Sequence, residues 1–276
     1  MFGREKIEYK TPEQIRVMRR AGLVVADIHA ALRDAVAPGM TTADLDAVSA
    51  EVIEGAGATP NFLGYHGFPA TACISVNEVI VHGIPGDRVI NDGDIVSFDC
   101  GAIVQGWHGD AAFSLVVGQG TETDQGLVEV TERAMWAGIA ALATGTHVGG
   151  VGHAVEDVVE EAAANGLRLG IVEEYVGHGI GTAMHQPPDV LNYRARDKGP
   201  RLRPGMCLCV EPMLTAGSPD NTVLEDDWTV ITRDGSRAAH FEHTVALGEN
   251  GIWVLTAPDG GAEQLAALGV RVAPLG

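Results

Sequence analysis

The chain has 276 residues, with 18 Lys and Arg against 37 Asp and Glu, and a formal net charge of −19. So acidic a balance excludes a general nucleic-acid binder, which needs a basic face. Hydrophobic residues at 46% and charged residues at 20% match a globular protein with a large core and exclude long disorder.

Met1 to Lys10 alternates charge and lacks an apolar run, so no signal peptide is expected. No stretch approaches the apolar length of a membrane span, which makes the cytoplasm the expected location. Thr11-Pro12-Glu13-Gln14 opens the first predicted helix: Thr11 caps, Pro12 fits the first helical position, and Gln14 completes a capping box. Ile15, Met18, Gly22, Val25, His29, Leu32 and Val36 recur at steps of three and four and form one helical face, stopped by Pro38-Gly39. Thr42-Ala43-Asp44-Leu45 starts a second helix that ends at Gly55-Ala56-Gly57. From Thr71 to Val117 the texture turns to strands: Cys73 to Val76, Val79 to Val81, Ile95 to Phe98 and Ala111 to Val117. Pro85-Gly86 and Asn91-Asp92-Gly93 make turns between them. The order then repeats, with helices over Gln125 to Leu142 and Val151 to Ala164. Strand-like runs follow at Gly170 to Gly177, Met206 to Val210, Trp228 to Thr232 and Glu242 to Leu247. Cys73, Cys100, Cys207 and Cys209 form no CxxC pair and read as buried thiols, not a disulfide framework.

Helix, helix, strands occurs twice, which points to a duplication. His82-Gly83-Ile84 matches His178-Gly179-Ile180, Gly93 to Asp99 matches Gly205 to Glu211, and His108-Gly109-Asp110 matches His240-Phe241-Glu242. Each half offers one His and two carboxylates in the same order. A pseudo-two-fold pair of halves brings them to one central cleft. The half-repeats span residues 11–117 and 124–248 of a single domain, 1–276, with a tail over 256–276. Asp99 and Glu211 end apolar strands at matched positions, where an ionised carboxylate needs a partner or a metal. With Asp110, Glu242 and His178 they form a set of oxygen donors and one nitrogen that suits a pair of divalent cations, Mn, Fe, Co or Zn. Such a pair lowers the pKa of a bound water towards neutrality.

On these residues the chain resembles the type I methionine aminopeptidases of the bacterial kind. The motifs are ACISVNEVIVHGIP (Ala72 to Pro85), VSFDCGAIVQGWHGDAA (Val96 to Ala112), GHGIGTAMHQPP (Gly177 to Pro188), EPM (Glu211 to Met213) and HFEHTVA (His240 to Ala246). The resemblance implies an α+β pita-bread fold, two pseudo-symmetric helix-helix-strand halves around a central antiparallel sheet. It implies removal of N-terminal methionine from nascent proteins, with a small second residue preferred. Asp99, Asp110, His178, Glu211 and Glu242 are then the metal ligands, Asp110 and Glu242 bridging. Glu211 also shuttles a proton from water to the leaving amine. His185 stabilises the tetrahedral intermediate, and His82 contacts the scissile nitrogen. The methionine pocket is walled by Tyr65, Phe68, Cys73, Met184 and Trp228, with Phe62 near its entrance and His66 on the substrate side. His108, His240 and His243 flank ligands and are expected to orient carboxylates. Two residues depart from the family pattern: Gln186 replaces a usual Glu, and Met184 stands where an aromatic is common.

Arg194, Arg196, Lys198, Arg201 and Arg203 concentrate basic charge in one loop. It reads either as a solvated loop or as a contact with ribosomal RNA. The chain is expected to act as a monomer, without a membrane. The rival readings are an X-Pro aminopeptidase of the same fold and a non-catalytic binding protein of that fold.

Overall fold

The computed structural model describes residues 6–275. Three helices begin with the same device. Thr11, Thr41 and Thr121 each accept the backbone N–H of the residue three ahead, and Gln14, Asp44 and Asp124 reach back to the cap N–H. They open α1 (Pro12–Ala35), α2 (Thr42–Gly55) and α3 (Glu122–Thr144). The second helix is thus capped by Thr41, one residue before its predicted start. Helix α1 buries Ile15, Met18, Gly22, Val25, His29 and Leu32 as predicted, and ends as Val36 turns extended. Pro38 forbids the helical conformation at the residue before it. Helix α4 (Gly150–Ala164) packs on α3, and a short α5 (Ala262–Ala267) lies in the tail.

The strands in chain order are β1 (Thr59–Pro60), β2 (Ala72–Val76), β3 (Val79–Val81), β4 (Ile95–Val104), β5 (Trp107–Val116), β6 (Gly170–Ile171), β7 (Gly177–Gly179) and β8 (Gln186–Val190). Then come β9 (Cys207–Val210), β10 (Met213–Thr215), β11 (Asn221–Val223), β12 (Val230–Thr232), β13 (Ala238–His240), β14 (Glu242–Gly248) and β15 (Gly251–Val254). The predicted strand over Gly170 to Gly177 is broken: β6 and β7 belong to different sheets, and the residues between them form no ladder. Asp99 does not end its strand. It sits inside β4, which runs on to Val104 because the Gln105-Gly106 turn, with both residues at positive φ, pairs it fully with β5.

One sheet of nine strands runs β1-β4-β5-β14-β9-β7-β8, with β2 also on β4 and β15 on β14, every pair antiparallel. The first half of the chain supplies β1, β2, β4 and β5, and the second supplies the rest. They meet where Glu242 pairs with Ala112 and His243 with Ala111. The fold is α+β, helices over a curled antiparallel sheet. Phe98 and Phe113 stack at 5.1 Å in the core beneath α1.

Close approach fixes α1 to the sheet. A Cβ on Gly22 would strike the Leu255 carbonyl, and one on Gly109 would meet Gly22 N at 2.8 Å. Arg19 holds the same segment through the carbonyls of Leu255 (2.6 Å) and Ala257 (2.7 Å). Both obstructing groups at Gly22 are backbone and cannot swing away. Gly22→Ala is therefore expected to cost about 1–3 kcal/mol. Urea unfolding should show a lower midpoint at unchanged slope, and an unchanged midpoint would refute the packing account.

Candidate metal centre

Register alone places the titratable side chains together. Cys73 on β2 pairs with Asp99 on β4, Asp99 with Ala112 on β5, and Ala112 with Glu242 on β14. Asp110 lies two residues from Ala112 and so shares its face. Val210 on β9 pairs with His243, which brings the next residue, Glu211, level with Glu242. Gly179 on β7 pairs with Leu208, bringing His178 level with Cys209. Three sets have donor atoms mutually within 4.8 Å: Asp99, Asp110 and Glu242; Glu211, His240 and Glu242; and His178, Cys209 and Glu242.

Asp110 and Glu242 are only 3% and 2% exposed. Burial pushes the Asp99 carboxyl up to about 7. Burial first, then the neighbouring carboxylates, drives Asp110, Glu211 and Glu242 well above the usual range. Asp99 Oδ1, Asp110 Oδ1 and Glu242 Oε1 are buried with no protein hydrogen-bond partner. His178 is more telling. Its Nδ1 lies 3.0 Å from the Gly179 carbonyl, which can only accept, so Nδ1 carries the proton. Burial holds the ring neutral, with its pKa lowered to about 3. Its Nε2 faces Glu211 Oε1 at 3.2 Å, a contact that is favourable when a proton or a metal cation is shared between them, and the donor set fits a divalent metal ion.

Above the carboxylates lies a cavity of about 310 Å³. Phe62, Tyr65, Phe68, Cys73, Met184 and Trp228 line it as predicted, together with His82 and His185. Phe68 meets Trp228 edge-on at 5.1 Å and Phe62 at 6.3 Å. His82 stands between Trp228 (5.9 Å) and Tyr175 (5.7 Å), and burial lowers its pKa to about 4. Tyr65 OH lies 2.9 Å from His185 Nδ1. The Cys73 thiol is pushed up by burial and by Asp99, and stays neutral.

Four predicted placements differ. His66 does not line the cavity; it is exposed, and its ring packs edge-on against Tyr65 at 4.4 Å. His243 has its Nδ1 2.7 Å from the Thr256 hydroxyl, because strand alternation turns it away from Glu242. His108 Nδ1 meets Asn61 Oδ1 at 2.6 Å, and no carboxylate. His240 Nε2 lies 3.8 Å from Glu211 Oε2, beyond hydrogen-bond distance, and is buried without a protein partner. Val81, Glu174, Tyr175, Val176 and Met213 also line the cavity and were not singled out from sequence. Tyr175 stands two residues before the GHGIG run, and nothing in that spacing marks it as a cavity residue.

The raised carboxyls give a signed expectation. The folded apo-protein holds protons that the unfolded chain releases. Their stabilisation is complete below the unfolded pKa of about 4 and is lost as pH rises through the folded values, about 7 for Asp99. Chelation should therefore lower Tm more at pH 8 than at pH 6. Adding Mn²⁺ to apo-protein at pH 6 should release protons, read by calorimetry in buffers of different ionisation heat. A heat independent of buffer would contradict the protonated carboxyls.

Residues 16–249 match the model of Metallopeptidase family M24. The chain is 46% identical to Methionine aminopeptidase 1 of Mycobacterium tuberculosis over 256 residues, 92% of this chain and 96% of the relative. It superposes on the crystal structure of methionine aminopeptidase from Thermotoga maritima with a TM-score of 0.87 at 40% identity, covering 91% and 99% of the two chains. Prolidase from Pyrococcus furiosus shares the fold alone, at a TM-score of 0.71 and 21% identity over 90% of this chain and 65% of that one. A donor set suited to divalent metal, placed on this sheet and matched along most of the sequence, makes the chain a member of the metallopeptidase family M24.

Proposed function

We propose that the chain is a methionine aminopeptidase that removes N-terminal methionine from nascent proteins in the cytoplasm, acting as a monomer and a single catalytic domain. The observation that carries this reading is the His178 nitrogen facing Glu211 in a buried carboxylate cluster, at the floor of a cavity walled by Phe62, Phe68, Met184 and Trp228. Asp99, Asp110, His178, Glu211 and Glu242 would hold two divalent ions; Mn, Fe, Co and Zn all suit the donors. Such ions activate water near neutral pH and polarise a carbonyl.

The protein's own groups do the rest. Phe62, Phe68, Cys73, Met184 and Trp228 receive the methionine side chain and exclude water from it. Glu211 accepts the proton of the attacking water and returns it to the leaving amine. The Tyr65 hydroxyl donates to His185 Nδ1, which leaves Nε2–H to donate to the substrate carbonyl oxygen as it becomes negative. His82, held neutral by burial between Trp228 and Tyr175, would hydrogen-bond the scissile nitrogen. A narrow cleft disfavours bulk beside the scissile bond, so a small second residue is preferred.

The test is a peptide panel with Met-Gly, Met-Ala, Met-Leu and Ala-Pro starts, using apo-protein reloaded with each metal in turn. Release of Met from the first two is expected. Cleavage of Ala-Pro alone would favour an X-Pro aminopeptidase, and no cleavage under any metal would favour a binding protein. Asp110→Asn should remove activity, by at least about 10³-fold, while leaving the unfolding midpoint of the apo-protein no lower than wild type. Activity near the wild-type rate would defeat the bridging role.

The basic loop is a candidate contact with ribosomal RNA, resting on exposed Arg196, Lys198, Arg201 and Arg203. Arg194 is committed elsewhere, to Glu156, Asp157 and Glu160 on α4. Changing the four exposed residues to Glu should weaken co-sedimentation with ribosomes, and salt should do the same. Sedimentation unchanged by the four substitutions would overturn the contact.

A further inference from the structure

One side of the cavity is closed by residues 181–185, a loop between β7 and β8 that carries Met184 and His185. Two backbone bonds hold it, Gly181 N–H to Ala183 O and His108 N–H to Gly181 O, each 3.0 Å. Further restraint comes from the chain ahead of α1, which crosses the loop as an arm. Glu8 Oε2 accepts the Thr182 backbone N–H at 3.1 Å, and Glu8 Oε1 accepts the Thr182 hydroxyl at 2.7 Å. The Lys10 side chain is 2% exposed. Its ammonium donates to the Glu8 carbonyl at 3.0 Å and to Gln186 Oε1 at 3.3 Å, and lies 3.4 Å from Glu8 Oε2. Gln186 closes the ring, its amide donating to Thr182 Oγ1 at 3.2 Å. Lys10 N–H donates to Gly205 O at 2.7 Å and pins the arm.

Glycine makes this contact possible on both sides. A Cβ on Gly181 would collide with Glu8 Oε2 and Lys10 Cε, and one on Gly205 would meet Lys10 O at 2.8 Å. Lysine is almost never buried unless its charge is answered, and here a carboxylate and two carbonyl oxygens answer it. The arm is thus a built strap. Gln186, the departure from the family's usual Glu, fits the same network. An amide accepts from Lys10 and donates to Thr182 at once, whereas an ionised carboxylate only accepts.

We propose that Glu8 and Lys10 are positioning residues for methionine selectivity. They hold the 181–185 loop so that Met184 completes the apolar wall and His185 stays within reach of the Tyr65 hydroxyl. Neither touches the substrate. The inference rests on the aminopeptidase reading above and extends it to residues outside the cavity.

The test compares Mn²⁺-loaded wild type with Glu8→Gln, Thr182→Val and the double variant on peptides starting Met-Gly, norleucine-Gly and Leu-Gly. Glu8→Gln should raise KM for the Met peptide about tenfold through Met184, with a fall in kcat of about the same size through His185. The preference for Met over Leu should fall by a similar factor. Thr182→Val breaks the contact from the loop side and should do the same. The double variant should lose less than the sum of the two singles, because both weaken the same Glu8–Thr182 contact. Amide hydrogen exchange at residues 181–185 should quicken about tenfold in each variant. Unchanged KM and selectivity, or losses that add in the double variant, would overturn the proposal. Unchanged exchange would overturn it even if the wild type released no methionine, whereas an inactive wild type with quickened exchange would locate the failure in the aminopeptidase reading.

Discussion

The structure depends on one electrostatic constraint. Asp110, Glu211 and Glu242 are buried on one face of the sheet beside Asp99, with a neutral His178 turned into them by its bond to the Gly179 carbonyl. In water each carboxylate is hydrated; here several of their oxygens have no protein partner. Such a cluster is tolerable if its members take up protons or share cations. The directions of the shifts, carboxyls up and His178 down, express the same strain from both sides. A site of this kind is costly as structure and useful as a metal centre, which is why it is the place to read function.

The constraint also explains the architecture around it. The donors come from β4, β5, β7 and β14 and from the residue that follows β9, so no single segment can assemble them. The join between the halves, β5 on β14, brings Asp110 and Glu242 into reach of each other. The sheet β11-β12-β3 joins strands of both halves beside His82 and Trp228. The aromatic wall therefore stands on the same two-half framework as the ligands, and a shift of one half against the other would disturb both.

Much of this was legible in the sequence, and for physical reasons. The start of α1 was readable because Thr11-Gln14 is a local capping device and its buried face repeats at helical spacing, whereas the Thr121-Asp124 cap places the start of α3 at Glu122, ahead of the expected Gln125. The cluster of buried carboxylates was readable because carboxylates inside apolar runs contradict burial unless something answers their charge. What failed depended on distant partners. The extent of β4 beyond Asp99 is set by its pairing with β5, and the split between β6 and β7 by which sheet each joins. His66 was expected on the substrate side by proximity in sequence; in the fold it packs edge-on against Tyr65 and is not part of the cavity lining. Tyr175 went unnoticed because its place beside His82 exists only after folding. The basic loop shows the same limit: composition grouped Arg194 with its neighbours, and three acids on α4 withdraw it.

Behind the ligands a set of neutral hydrogen bonds carries orientation without adding charge. Thr244 Oγ1 donates to Asp110 O at 2.7 Å and lies 3.2 Å from Asp110 N, tying β14 to β5 at the ligand itself. Thr244 N–H donates in turn to Thr256 Oγ1 at 3.1 Å, whose hydroxyl also meets His243. Thr256 follows Leu255, the residue against which Gly22 of α1 packs and whose carbonyl Arg19 holds. On the other side Asn192 Nδ2 donates to Glu211 O at 3.2 Å, and Ser114 exchanges hydrogen bonds with the backbone of His240 at 2.8 and 2.9 Å. The carboxylates repel one another and carry no hydrogen bonds at the oxygens that face the centre, so they cannot fix their own geometry. Backbone-directed Thr, Ser and Asn side chains do it, and through Thr256 the restraint runs from Asp110 to the first helix.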